Sequence, residues 1–78
     1  MIIKVLGTGC GKCKSLENVT KEVVSELSLD ATVEKVEDIE EIMRAGVLIT
    51  PALLVDGKLI VSGHVPSNKE MKNLLTNL

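Results

Sequence analysis

Between Leu6 and Cys13 the chain changes its hydrophobic period. The residues at the change, Gly7-Thr8-Gly9-Cys10-Gly11-Lys12-Cys13, constrain most of what the sequence can build. Before them, Ile2 to Leu6 is apolar except for Lys4 and rich in β-branched side chains, which predicts a short, largely buried strand. After them, from Cys13 to about Leu27, apolar residues recur at helical spacing: Leu16, Thr20, Val23, Val24 and Leu27 fall in line with Cys13. Glu17 and Lys21 make a favourable pair four apart on the wet side. Gly7 and Gly9 let the backbone turn between the two, so both cysteines belong to a strand-to-helix turn.

That position has chemical consequences. Cys10 falls at or just before the first helical residue, where unpaired backbone N–H groups and the positive end of the helix dipole favour a thiolate. Lys12 and Lys14, in the same first turn, oppose the dipole but add to the stabilisation of a nearby anion. The Cys10 pKa is therefore expected below the free value of ~8.5. Cys13, on the apolar stripe, is expected to be shielded. An exposed, activated thiolate followed three positions later by a covered thiol can attack a disulfide, form a mixed disulfide and resolve it from within.

With 78 residues the chain is one domain, near the lower limit for one held together by a hydrophobic core. A bridge between Cys10 and Cys13 makes a poor staple, because closing a four-residue ring contributes roughly 2 kcal/mol against about 3 for a fifteen-residue ring. There is no Phe, Tyr or Trp, so the core is Val, Leu, Ile, Met and Ala, and base stacking on aromatic side chains is excluded. A formal charge of −2 with interspersed signs gives no basic footprint for nucleic acid. The start, Met1-Ile2-Ile3-Lys4, has no signal-peptide anatomy, and no apolar run approaches the ~20 residues of a spanning helix. The expectation is a cytoplasmic protein with no nucleic-acid or membrane partner. In that compartment a Cys-x-x-Cys pair points to redox or metal chemistry rather than structure.

Further along, Ser28-Leu29-Asp30 breaks the first helix, and Ala31 to Val36 alternates as a half-exposed strand does. Asp38 with Glu41 is a capping-box pattern, and Ile39, Ile42 and Met43 predict the apolar face of a short helix that Gly46 can end. Ala52-Leu53-Leu54-Val55 and Lys58-Leu59-Ile60-Val61 flank Asp56-Gly57, a hairpin signal that requires φ > 0 at both central residues. Ser67 with Glu70 is a second capping box, opening a last helix with Met71, Leu74, Leu75 and Leu78 on its apolar face. The predicted order is βαβαββα: an α/β fold with a four-stranded mixed sheet flanked by three helices.

At this point the chain resembles the thioredoxin and glutaredoxin superfamily, and most its smallest single-domain, redox-active disulfide members. The resemblance covers essentially all 78 residues. It rests on Cys10-Gly11-Lys12-Cys13 between first strand and first helix, Thr50-Pro51 immediately before a strand, and the Asp56-Gly57 hairpin followed by a terminal helix. It implies the thioredoxin-like fold and thiol–disulfide exchange, with Cys10 attacking and Cys13 resolving, and with Gly11 and Lys12 shaping the site between them. Pro51 would be the family's cis-proline near the cysteine pair, and the Thr50 backbone would pair with an incoming polypeptide or thiol substrate. The implied cofactor set is none beyond a reversible Cys10–Cys13 disulfide. The implied partners are a disulfide-containing protein or small thiol and an unidentified reductase, acting on a monomer. The chain also departs from the family: Gly9 stands where thioredoxins carry Trp, and Lys4 stands near the place of their buried strand acid. Gly63-His64-Val65-Pro66 replaces the glutathione-holding Gly-Gly and acid of glutaredoxins.

The competing reading of Cys10 and Cys13 is a thiolate metal carrier. Copper and mercury carriers place a Cys-x-x-Cys at the same junction, but their order is βαββαβ and ends on a strand, so the element at Met71 to Leu78 discriminates. A closed zinc site needs two more ligands, and His64 is the obvious nitrogen donor. His64 otherwise reads as a surface loop residue, Lys12 as a solvated cation, and Met43 and Met71 as core residues.

Overall fold

Pairing around the first strand sets the architecture. In the computed structural model, which describes residues 1–8 and 11–78, the order is β1 (Ile2–Leu6), α1 (Gly11–Glu26), β2 (Thr32–Val36), α2 (Ile39–Arg44), β3 (Ala52–Val55), β4 (Lys58–Ser62) and α3 (Asn68–Thr76). This is the βαβαββα order the sequence predicts. The sheet runs β2-β1-β3-β4, with β1 parallel to β2 and antiparallel to β3, and β3 antiparallel to β4. The last element is a helix, so the chain does not have the order of the copper and mercury carriers.

Alternation along the strands divides the core in two. Ile3 and Val5 of β1 join Leu53 and Val55 of β3 and Val61 of β4 on the face covered by α1 and α3, packed on Leu16, Val23, Met71 and Leu75. On the opposite face, Leu6, Ala52 and Leu54 meet Ile42 of α2 and Val47. A bulge in β4 between the pairs Leu53–Val61 and Leu54–Leu59 lets the consecutive residues Ile60 and Val61 both pack on the first core. Cys13, Leu16, Thr20 and Val23 form the buried stripe of α1, as their spacing predicts. The one polar member, Thr20, donates its hydroxyl to the Leu16 carbonyl at 2.7 Å. Glu17 and Lys21 pair at 3.3 Å on the exposed side.

The turns follow their residues. Asp56 and Gly57 both have positive φ, 49° and 85°, closing the hairpin as a two-residue turn. Asp56 also fastens β1, accepting the Ile2 N–H on Oδ1 at 2.7 Å and donating its own N–H to the Ile2 carbonyl at 2.8 Å. Ser67 and Glu70 make the expected reciprocal capping box. At the end of α2, the Gly46 N–H bonds Met43 O and the Val47 N–H bonds Ile42 O, the paired bonds of a Schellman motif with Gly46 at φ 78°.

Helix α2 departs from its predicted form in two respects. Asp38 caps it, but accepts from the Glu40 N–H at 2.9 Å rather than from Glu41, because its short side chain reaches the nearer donor. Of its three apolar residues only Ile42 is buried, while Ile39 and Met43 are exposed. A helix of six residues is about 9 Å long and meets a small second core, which takes one side chain. Leu78 likewise lies beyond α3 and is exposed.

Candidate active site

The end of β1 and the start of β3 are neighbours, since Leu6 pairs with Ala52. Gly7 extends the ladder past the strand, donating its N–H to Val36 O at 2.9 Å. Helix α1 then begins at Gly11, so that Cys13 lies in its first turn. The Cys13 side chain is 2% exposed and folds back onto the strand end. A methyl group built on Gly7 would fall inside the van der Waals envelope of Cys13 Sγ, 3.1 Å from Cys13 Cβ and 4.0 Å from Thr50 Cβ. Three segments distant in sequence therefore converge on one point: the end of β1, the head of α1 and the residue before β3.

The Thr50–Pro51 peptide bond is cis. Pro51 is buried and Thr50 is exposed. The loop that carries them is held by the far strand. The Gly63 N–H donates to Pro51 O at 2.8 Å, and Ser62 Oγ donates to Ile49 O at 3.1 Å. At Gly63, φ 84°, a methyl would lie 2.9 Å from Ile49 Cγ2, so a side chain there would require the exposed Ile49 to shift and would sit in the left-handed region that favours glycine. Leu48 and Ile49, just before Thr50, are exposed.

The first turn of α1 contains no acidic residue, and its two lysines, Lys12 and Lys14, are exposed. No carboxylate of that turn therefore offsets the positive end of the helix dipole. Gly11 is exposed, with no neighbour among the described residues within 4 Å of its side-chain position. Cys10 lies outside the described residues, and of the expected contrast between the two thiols only the covered Cys13 can be described. His64 is exposed and lines a shallow groove between β4 and α3 with Leu59 and Leu74. Lys4 is exposed on the face of the sheet that α2 covers in part. Among the described residues no group of three or more His, Cys, Asp or Glu side chains is arranged to hold a metal, and no helix is long and apolar enough to cross a membrane.

Sequence reasoning missed the two glycines that shape this end of the molecule. Gly7 reads as a turn residue, yet it is a packing position; Gly63 follows β4 where a turn needs no special reading. The usable signal for Gly7 was its place directly after a buried strand, where a side chain would point into whatever the next helix turns back.

A mixed four-stranded sheet of order β2-β1-β3-β4 with these helices, a buried helix-head cysteine and a neighbouring cis-proline defines a thioredoxin-like protein. Known proteins agree with that class. The family described as the thioredoxin domain matches residues 1–76. A thioredoxin of Methanothermobacter thermautotrophicus is 42% identical over 76 residues, spanning 97% of this chain and 99% of that protein. A thioredoxin of Methanocaldococcus jannaschii is 37% identical over 75 residues, spanning 96% and 86%. The chain belongs to the thioredoxin family, and it is a thiol–disulfide oxidoreductase.

Proposed function

We propose that the chain reduces disulfides, or carries electrons between them, through Cys10 and Cys13, acting as a single cytoplasmic domain and as a monomer. The observation that carries the assignment is Cys13, covered in the first turn of α1 and packed against Gly7 beside Thr50. A thiol so placed is shielded from external disulfides, which suits the resolving member of a pair whose attacking cysteine comes three residues earlier in the sequence. In the sequence Cys10 comes directly before Gly11, the first residue of α1, and the first turn that follows has two lysines and no acid. That is a setting that lowers a thiol pKa below ~8.5.

In the proposed cycle the Cys10 thiolate attacks one sulfur of the target disulfide. A bond forms between Cys10 Sγ and that sulfur, the target bond breaks, and the second target sulfur leaves as a thiolate. Cys13 then loses its proton to solvent and attacks Cys10 Sγ. The Cys10–Cys13 bond forms, the mixed disulfide breaks, and the second target thiolate leaves. The target gains two electrons and the dithiol loses two. A reductase or small dithiol restores the starting state, and no further cofactor is required. Exposed Thr50 offers its backbone to the chain flanking the target disulfide, and Gly11 and Lys12 stand between the two cysteines in the sequence.

The test is a pair of variants. Cys10→Ser is expected to abolish reaction with a disulfide substrate, and Cys13→Ser to accumulate a mixed disulfide visible as added mass on the intact protein. Iodoacetamide alkylation of Cys10 is expected to reach half its maximal rate below pH ~8.5. Retention of turnover by both variants would remove the mechanism.

A further inference from the structure

Gly7 is buried at the end of β1, and its need for glycine does not come from its backbone. Among the described residues the glycines with positive φ are Gly46, Gly57 and Gly63, so Gly7 holds a conformation that alanine adopts freely. The conformation is also fixed, because the Gly7 N–H is tied to Val36 O at 2.9 Å while Leu6 next to it is paired with both Val36 and Ala52. What excludes a side chain is Cys13, whose sulfur occupies the space a methyl would take, with Cys13 Cβ 3.1 Å away from that methyl.

We propose that Gly7 is the positioning residue of the resolving thiol: the strand end is kept bare so that Cys13 Sγ seats against it, and that seat sets the approach of Cys13 to the mixed disulfide. The proposal rests on the assignment of Cys13 as resolving cysteine. The first exchange, attack by Cys10 on an external disulfide, makes no use of the seat. The second, attack by Cys13 on Cys10 Sγ, starts from it. A methyl at Gly7 cannot displace β1, which is hydrogen-bonded on both sides, so it displaces the Cys13 side chain that fills its space. The displaced atom is the Cys13 sulfur. In-line displacement at sulfur is sensitive to shifts of this size, since a misplacement near 1 Å costs on the order of 10²-fold in rate.

Reduced protein is mixed with one equivalent of 5,5′-dithiobis(2-nitrobenzoate), which releases one nitrothiobenzoate on attack by Cys10 and a second on resolution by Cys13. Gly7→Ala is expected to release the first at a rate within about twofold of the native protein and the second at least tenfold more slowly, with the mixed disulfide visible by intact mass in between. In the Cys13→Ser background, Gly7→Ala is expected to leave the first release unchanged. A merely structural role would slow neither step selectively.

Folding supplies an independent measurement. In urea denaturation, Gly7→Ala is expected to destabilise the native protein strongly, and to destabilise the Cys13→Ala variant far less, because the sulfur that the methyl meets is gone. If Gly7→Ala does not fold, recovery of folding in the double variant supports the seat. Equal destabilisation in both backgrounds, or loss of folding in both, would overturn the proposal. So would release of both nitrothiobenzoates at native rates by Gly7→Ala. Failure of Cys13→Ser alone to hold a mixed disulfide would instead remove the assignment of Cys13, and is read before any Gly7 variant is made.

Discussion

Asp56 joins two structural tasks in one side chain, and substitution there separates them. It sits at φ 49°, and its carboxylate accepts the Ile2 N–H at 2.7 Å, so that the hairpin turn also fastens the first residue of the central strand. Asp56→Gly keeps the turn and deletes the bond. The bond is exposed and Ile2 N–H can turn to water, so the loss is that of an ordinary net hydrogen bond, about 1 kcal/mol, with a few tenths more from the freer unfolded chain. Asp56→Ala deletes the same bond and keeps the Cβ at positive φ without the local hydrogen bonding that lets Asp tolerate that region, whereas glycine sheds the Cβ strain of about 1 kcal/mol and so offsets most of its loss. Alanine should therefore cost about 1–2 kcal/mol in all, and exceed glycine by roughly 1 kcal/mol. Asp56→Asn, which keeps an acceptor and tolerates positive φ, should fall nearest the native protein.

Urea denaturation at neutral pH with a common slope orders the three variants, and thermal melting should show shifts of about 4–8 °C per kcal/mol for a domain of this size. Against a total stability of roughly 4–12 kcal/mol for 78 residues, the alanine variant is markedly weakened yet folded. Equal loss for glycine and alanine would mean that the turn carries no strain and the bond everything. An alanine variant as stable as the native protein would refute both parts of the reasoning.

Two further outcomes are expected. Met71→Ala, which empties the position of a fully buried side chain between α3 and the sheet, should cost about 2–5 kcal/mol by urea denaturation and leave the order of exchange steps intact in protein that remains folded. Gly46→Ala should cost about 1–2 kcal/mol, because Gly46 stands at φ 78° with no neighbour within 4 Å of its side-chain position, which makes the whole penalty one of backbone strain.

The elements were legible because each is written locally. The β-branched run before Gly7, the helical spacing from Cys13 and the Asp56-Gly57 pair each fix a backbone period or a sign of φ without help from distant residues, and the structure reproduces all three. What was not legible depends on partners. Lys58-Leu59-Ile60-Val61 is apolar at three successive positions, so nothing in it marks the bulge that turns Ile60 and Val61 to the same core. Ile39, Ile42 and Met43 carry a helical pattern, but a pattern states which side chains share a face and not whether another layer covers that face. The cis form of Thr50–Pro51 runs against the local preference for trans and entered through the family resemblance.

The site divides along the same line. The spacing of Cys10 and Cys13 announces thiol chemistry because it is a local relation in the sequence, two cysteines three residues apart. The seat of Cys13 is a contact between the strand before that turn and the helix after it, made at a residue whose contribution is to have no side chain at all. Local preference treats such a residue as freedom to turn. At Gly7 the backbone needs no such freedom, since it lies among the conformations open to alanine, and the glycine is explained by the sulfur alone. The same substitution, glycine to alanine, therefore tests backbone strain at Gly46 and sulfur placement at Gly7. Only the second should be relieved by shortening Cys13, which is what separates a residue required by the chain's path from one required by the site.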